Sequence, residues 1–75
     1  MRPGLHARVV ALLVAARRDY GLTQADLARR LGRSTNFVFR VEAGARHLDV
    51  AEFIAIASAL EIDPYALLRQ AEAEG

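Results

Sequence analysis

The chain is predicted to be all-α, a bundle of five short helices, and three observations predict it. Apolar residues recur at three- and four-residue steps along most of the 75 residues. Side chains that cap helix N-termini stand just ahead of these stretches, and glycines stand just after several of them. No stretch alternates apolar and polar residues with a period of two, so a sheet is not expected.

The first helix is expected over 5–19, with Leu5, Val9, Leu12, Leu13 and Ala16 as its inward stripe. Val10, Ala11, Val14 and Ala15 make the same helix apolar almost all round, which leaves two readings open. One is a greasy surface of small side chains; the other is a second face covered by a twin subunit or another protein. Thr23 and Asp26 form a capping box for a second helix over 24–31, stapled by Leu22 and Leu27, with Leu27, Ala28 and Leu31 inward. Ser34 caps a third helix over 35–42, on which Val38 and Val41 face the core. Glycines 21, 32 and 44 follow these three helices, where a terminating residue needs positive φ.

Asp49 and Glu52 repeat the capping box, stapled by Leu48 and Phe53, for a fourth helix over 50–60. Its stripe is read as Val50, Phe53, Ile54, Ala57 and Leu60. Asp63 caps a fifth helix over 64–73, with Pro64 at its first position and Ile62 paired with Leu67. Leu67, Leu68 and Ala71 close the bundle.

Composition bounds the function. With 53% apolar and 25% charged residues the chain is globular, and one domain over residues 1–75 is expected. A domain of this size buries only about 60% of its unfolded surface, so its stability is marginal and dimerisation would help. It is too small for a deep pocket, and it carries neither a nucleophile beside a histidine nor a glycine-rich phosphate loop, so an enzyme is not expected. The cysteine count is zero, which suits a reducing cytoplasm. His6 and His47 lie far apart in the sequence without nearby carboxylate spacing, so neither a metal nor a cofactor is expected.

The longest apolar run, Val9 to Ala16, is too short to span a bilayer, and Arg17, Arg18 and Asp19 follow it without a signal-peptide cleavage pattern. The chain ends soon after its last helix, so an appended ligand-sensing domain is not expected either. The net charge of +1 conceals an asymmetry. Residues 1–48 hold nine arginines against Asp19, Asp26 and Glu42, whereas residues 49–75 hold Arg69 against six acids. The basic portion favours an acidic partner, although solvated helix faces would give the same count.

Only "GRS" separates the second and third helices, so they must cross steeply. Gly32 permits the turn, small Ala28 permits close approach, and Leu27, Leu31, Val38 and Val41 fill the angle, which makes a helix-turn-helix. With Val38 and Val41 inward, Asn36, Arg40 and Ala43 point outward, and Phe37 and Phe39 fall on opposite flanks. Such a face fits the major groove of duplex DNA, where Asn pairs with adenine, Arg with guanine and an apolar group with the thymine methyl.

These residues carry a resemblance. "GLTQADLARRLGRSTNFVFRVEAG" followed by "RHLDVAEFIAIASALEIDP" resembles the lambda-repressor-like, XRE-type helix-turn-helix domains of bacterial and phage transcription regulators, over about residues 9–69. The resemblance implies that Thr35, Asn36 and Arg40 read bases, with Phe39 on the groove side in place of a smaller or polar residue, where a thymine-methyl contact, packing on Arg40 and a protein contact all stay open. It implies a phosphate contact from Gln24, and a structural ion pair between Arg17 and Glu42. Arg33, Ser34, Arg46 and His47 flank the recognition helix as candidate phosphate contacts, with a merely solvated side chain, or for Ser34 a cap, as the alternative.

Thr35 is shorter than the glutamine frequent at that position, and Glu61 stands where a helix-ending glycine is usual, so strain of up to ~1 kcal/mol is expected there. The function implied is a double-stranded-DNA-binding regulator, a repressor acting as a homodimer. The dimer interface is left open between apolar helix 1 and the C-terminal helix, where Tyr65 and Leu68 are the candidate contacts. The rival is an antitoxin or accessory module that binds a protein partner through apolar helix 1 or the C-terminal helix.

Overall fold

A computed structural model describes residues 3–74, so Arg2, counted in the basic portion, lies outside the described residues. It contains α1 Leu5–Tyr20, α2 Gln24–Leu31, α3 Thr35–Glu42, α4 Val50–Ala59 and α5 Pro64–Ala73, with no strand among the described residues. Helix α2 packs on both α3 and α4, α1 spans α3 and α5, and α4 closes against α5.

The expected caps hold the helix starts. Thr23 Oγ1 accepts from the Asp26 amide at 3.0 Å while Asp26 Oδ2 accepts from the Thr23 amide at 2.9 Å. Asp49 and Glu52 reciprocate in the same way at 2.7 and 3.1 Å. Ser34 Oγ accepts from the Phe37 amide, and Asp63 accepts from Tyr65 and Ala66 at the start of α5. Each bond satisfies an amide that the first turn of a helix leaves without a partner.

The α2–α3 connection depends on Gly32, whose φ of 66° lies in the left-handed region. That conformation lets the Gly32 and Arg33 amides bond back to the carbonyls of Arg29 and Ala28, closing α2 and launching α3 in a new direction. Glu61 adopts the same conformation, with φ 56°, where its side chain is a liability. The Tyr20 hydroxyl donates to the Glu61 carboxylate on the exposed surface, which offsets little of the strain. Glu61→Gly is therefore expected to raise stability by about 0.5–1 kcal/mol. Urea denaturation checks this, and a lower midpoint would mean that the tyrosine contact outweighs the backbone cost.

The core contains Val9, Leu13, Leu27, Ala28, Val38, Val41, Phe53, Ala57, Leu60, Leu67 and Ala71, all on the expected stripes. Leu5, Val50 and Ile54 depart from them, being 44%, 79% and 37% exposed. The reason is a rotation of α4. Its inward face runs through Phe53, Ile56, Ala57 and Leu60, so Ile56 takes the place expected for Ile54. Val50 occupies the first position of α4, beyond the edge of that stripe.

Val10, read as part of an outer face of α1, is buried beside Leu13, Val38 and Val41. Ala11 and Ala15 are exposed as that reading requires, and Val14 is half-buried. Phe37, placed on a flank of α3, is a core residue covered by α4.

Candidate nucleic-acid interface

Helix α3 turns Phe37, Val38 and Val41 inward, which forces its remaining surface out. Thr35, Asn36, Phe39 and Arg40 are all exposed, Phe39 at 55% of its surface. Among the described residues, Thr35, Asn36 and Arg40 have no side-chain hydrogen-bond partner within the chain. Their donors and acceptors are therefore uncommitted on one convex ridge, next to an aromatic face.

The C-terminal end of this ridge is anchored by Glu42. Arg17 of α1 donates from Nε to Glu42 Oε2 at 2.7 Å and from Nη2 to Oε1 at 2.9 Å. Arg17 Nη1 also donates to the Leu22 carbonyl at 2.7 Å. The two side chains retain only 8% and 12% of their exposure, so the pair is largely dry. Gln24 completes the hub, its Nε2 donating to Glu42 Oε1 at 2.9 Å. Burial pushes the Glu42 carboxyl up, but the bonds from Arg17 and Gln24 and the charges of Arg17 and Arg18 overcome it and leave it below its usual value. The hydrogen bond to Glu42 likewise holds the Arg17 guanidinium above its ordinary value, against burial. One carboxylate thus fastens α1, the first residue of α2 and the last residue of α3 together.

Gln24, expected to reach a phosphate, is half-buried with one amide hydrogen on Glu42 and the other left over. Ser34 spends its oxygen on the α3 cap. Arg33 and Arg46 converge on Phe37, their Cζ atoms 3.9 and 4.8 Å from the ring centroid, one on each flanking loop of α3. Both reach Glu52 of α4. Arg46 bonds it at 2.8 and 2.7 Å through Nη1 and Nη2, and Arg33 approaches Oε2 at 3.5 Å. The Arg46 bonds, with the Asp49 amide and both positive charges, bring the Glu52 carboxyl down to about 2.

In the sequence Glu52 stands out only as the capping partner of Asp49. Yet a carboxylate bent back to the Asp49 amide must face the preceding loop, and Arg46 is in that loop.

His47 is exposed, and the separation in sequence that set it apart from His6 misleads. The two imidazoles stack with centroids 4.5 Å apart, and His6 Nε2 accepts from the Leu48 amide.

Similarity to known proteins agrees with this geometry. The helix-turn-helix family model matches residues 13–67. An XRE-family-like protein from Pseudomonas syringae pv. tomato has a solved structure that is 43% identical, covering 93% of this chain and 85% of that one at a TM-score of 0.88. The clp gene regulator ClgR from C. glutamicum shares the fold at 23% identity, with 97% and 95% coverage and a TM-score of 0.86. A hypothetical transcription factor from Neisseria is 28% identical over 85% of this chain and 72% of its own, at a TM-score of 0.77. No curated protein matches the chain. The chain belongs to the XRE-type, lambda-repressor-like helix-turn-helix family of DNA-binding transcription regulators.

Proposed function

We propose that the chain is a sequence-specific repressor that binds duplex DNA as a homodimer, one recognition helix in each of two successive major grooves. The observation that carries this reading is the free ridge of α3, with Asn36 and Arg40 exposed and unengaged on a helix locked at its far end by Glu42. Arg40 is matched to the guanine edge and Asn36 to adenine, while Thr35 and Phe39 offer a hydroxyl and an apolar edge to neighbouring bases. Phosphates are met by the free hydrogen of the Gln24 amide and by His47, while Arg33 and Arg46 reach them only against the hold of Glu52.

Dimerisation is supported by an apolar groove of about 420 Å³ where the N-terminal part of α1 meets α4 and α5. Leu5, Val50, Ile54 and Tyr65 ring it, and each exposes more than a third of its surface. A cluster of this kind on so small a domain calls for a partner, and a second copy offers a self-complementary one. The globule measures 32 × 24 × 22 Å, so a side-by-side pair suits recognition helices ~34 Å apart. Ile54→Lys is expected to yield monomers in sedimentation and to abolish tight binding to paired half-sites. An unchanged dimer would move the interface elsewhere, with the apolar outer face of α1 next in line.

Selection of bound duplexes from random DNA at stated salt tests the whole reading, and a palindromic consensus is expected. Arg40→Ala should cost about 1–3 kcal/mol on that consensus and relax one base position, whereas Gln24→Ala should weaken all sequences alike. If both variants merely scaled affinity across the library, the assigned roles would be wrong. Recovery of no duplex at any salt, with a second protein co-purifying, would instead favour a protein-interaction module. The shallow channel between α1 and the end of α3, lined by Ala11, Val14 and Ala15, is where such a partner would fit.

A further inference from the structure

The arginines that flank the recognition helix are already occupied. Arg33 immediately precedes the α3 cap and Arg46 lies just beyond its C-terminal glycine, so both stand beside the ridge proposed to enter the groove. Their guanidinium groups lie over the one Phe37 ring and converge on the one carboxylate of Glu52. That carboxylate is saturated. Oε1 accepts from the Asp49 amide and from Arg46 Nη1, and Oε2 accepts from Arg46 Nη2 with Arg33 Nη1 beside it. A carboxylate held by a forked guanidinium on an aromatic floor has the donor geometry of a DNA phosphate between two arginines.

We infer that Glu52 is a specificity-determining residue: it stands in for a phosphate, occupying Arg33 and Arg46 so that backbone attraction alone cannot hold the protein on arbitrary DNA. The inference rests on the DNA-binding reading above. Its physical content is a competition. Cations neutralised by an internal carboxylate release fewer condensed counterions when they approach a duplex, so they add little to sequence-independent affinity. A cognate site, where Asn36 and Arg40 make base contacts, gains its affinity elsewhere and suffers less from the competition. Glu52 therefore lowers non-specific binding more than specific binding.

Glu52→Gln removes the charge yet leaves an oxygen to accept from the Asp49 amide. Binding of the full chain is measured against the selected consensus duplex and a scrambled duplex of equal length, over a series of salt concentrations. The variant is expected to hold the scrambled duplex about five- to tenfold more tightly and to gain much less on the consensus. Its slope of log affinity against log salt should steepen by about 1–2, the number of cations released. Adding Arg46→Gln should cancel most of the gain, because Arg46 is the cation Glu52 restrains.

Should Glu52→Gln not fold, Glu52→Asp carries the test. Aspartate serves at the same capping position in α2, and it is too short to keep the fork to Arg46. Scrambled-duplex binding that weakens or stays level in the variant, with no steeper salt slope, would overturn the inference while leaving sequence-selective binding by the wild type intact. Failure of the wild type to select any duplex would sink the underlying reading and this one with it.

Discussion

Glu42→Ala is expected to cost about 3–5 kcal/mol of folding stability, because it strands the buried Arg17 guanidinium without its forked partner. A domain of this length commands only about 4–11 kcal/mol in all, so the loss takes a large share of it. At about 4–8 °C per kcal/mol, the midpoint of thermal unfolding should fall by more than 12 °C. Arg17→Met with Glu42→Leu should cost far less than the single change, since no charge is then left in the dry interior. A single variant as stable as the wild type would show that water reaches Arg17 freely.

The pH dependence has a definite sign. The Glu42 carboxyl titrates lower in the folded chain than its ordinary 4.5, so its contribution is full above that value and is lost as the pH falls below it. Glu52 behaves likewise over the window from 4.5 to about 2. Acid unfolding of the wild type should therefore begin below pH 4.5, and Glu42→Gln should flatten that limb.

The same hub explains how a family fold becomes a positioned tool. Helix α3 has eight residues and would not hold its shape alone. Glu42 ties its last residue to α1 and α2, while Ser34 caps its start, so the ridge between is oriented by fixed points at both ends. Counting charges along the sequence overstates what remains for DNA. Arg8 and Arg30 donate to the carbonyls of Ala71 and Ala59, Arg29 pairs with Asp26, and Arg17, Arg33 and Arg46 are bound to glutamates. Among the described residues of the basic portion, Arg18 and Arg40 stand outside these contacts. Arg40 is the one on the recognition face.

Local signals were legible because their physics is local. A capping box or a positive-φ glycine is decided by residues three or four positions apart, and helix boundaries accordingly came within one residue of those expected. Helix rotation is decided by the neighbour. The α4 stripes through Ile54 and through Ile56 share Phe53, Ala57 and Leu60, so periodicity could not choose between them; packing against α2 did. The outward residues of α3 followed from Val38 and Val41, whereas the stacking of His6 on His47 and the meeting of two arginines over Phe37 needed the fold.

Phe37 is where that difference has its largest measurable consequence. The residue is 8% exposed, packed in the main core cluster, with its ring roofed by Arg33 and Arg46. Phe37→Ala should cost about 3–5 kcal/mol, combining lost burial with a cavity that the neighbouring helices cannot collapse into. Phe37→Leu keeps most of the volume and removes the aromatic face, so it should cost less than about 1.5 kcal/mol of packing. Two guanidinium–ring contacts at partly exposed sites add about 0.5–1 kcal/mol each. Both variants lose the ring contacts, so leucine should recover at least about a third of what alanine loses in chemical denaturation. If leucine recovered nothing, the roof of guanidinium groups and not the buried volume would be what Phe37 supplies, and the arginines beside the recognition helix would be structural first.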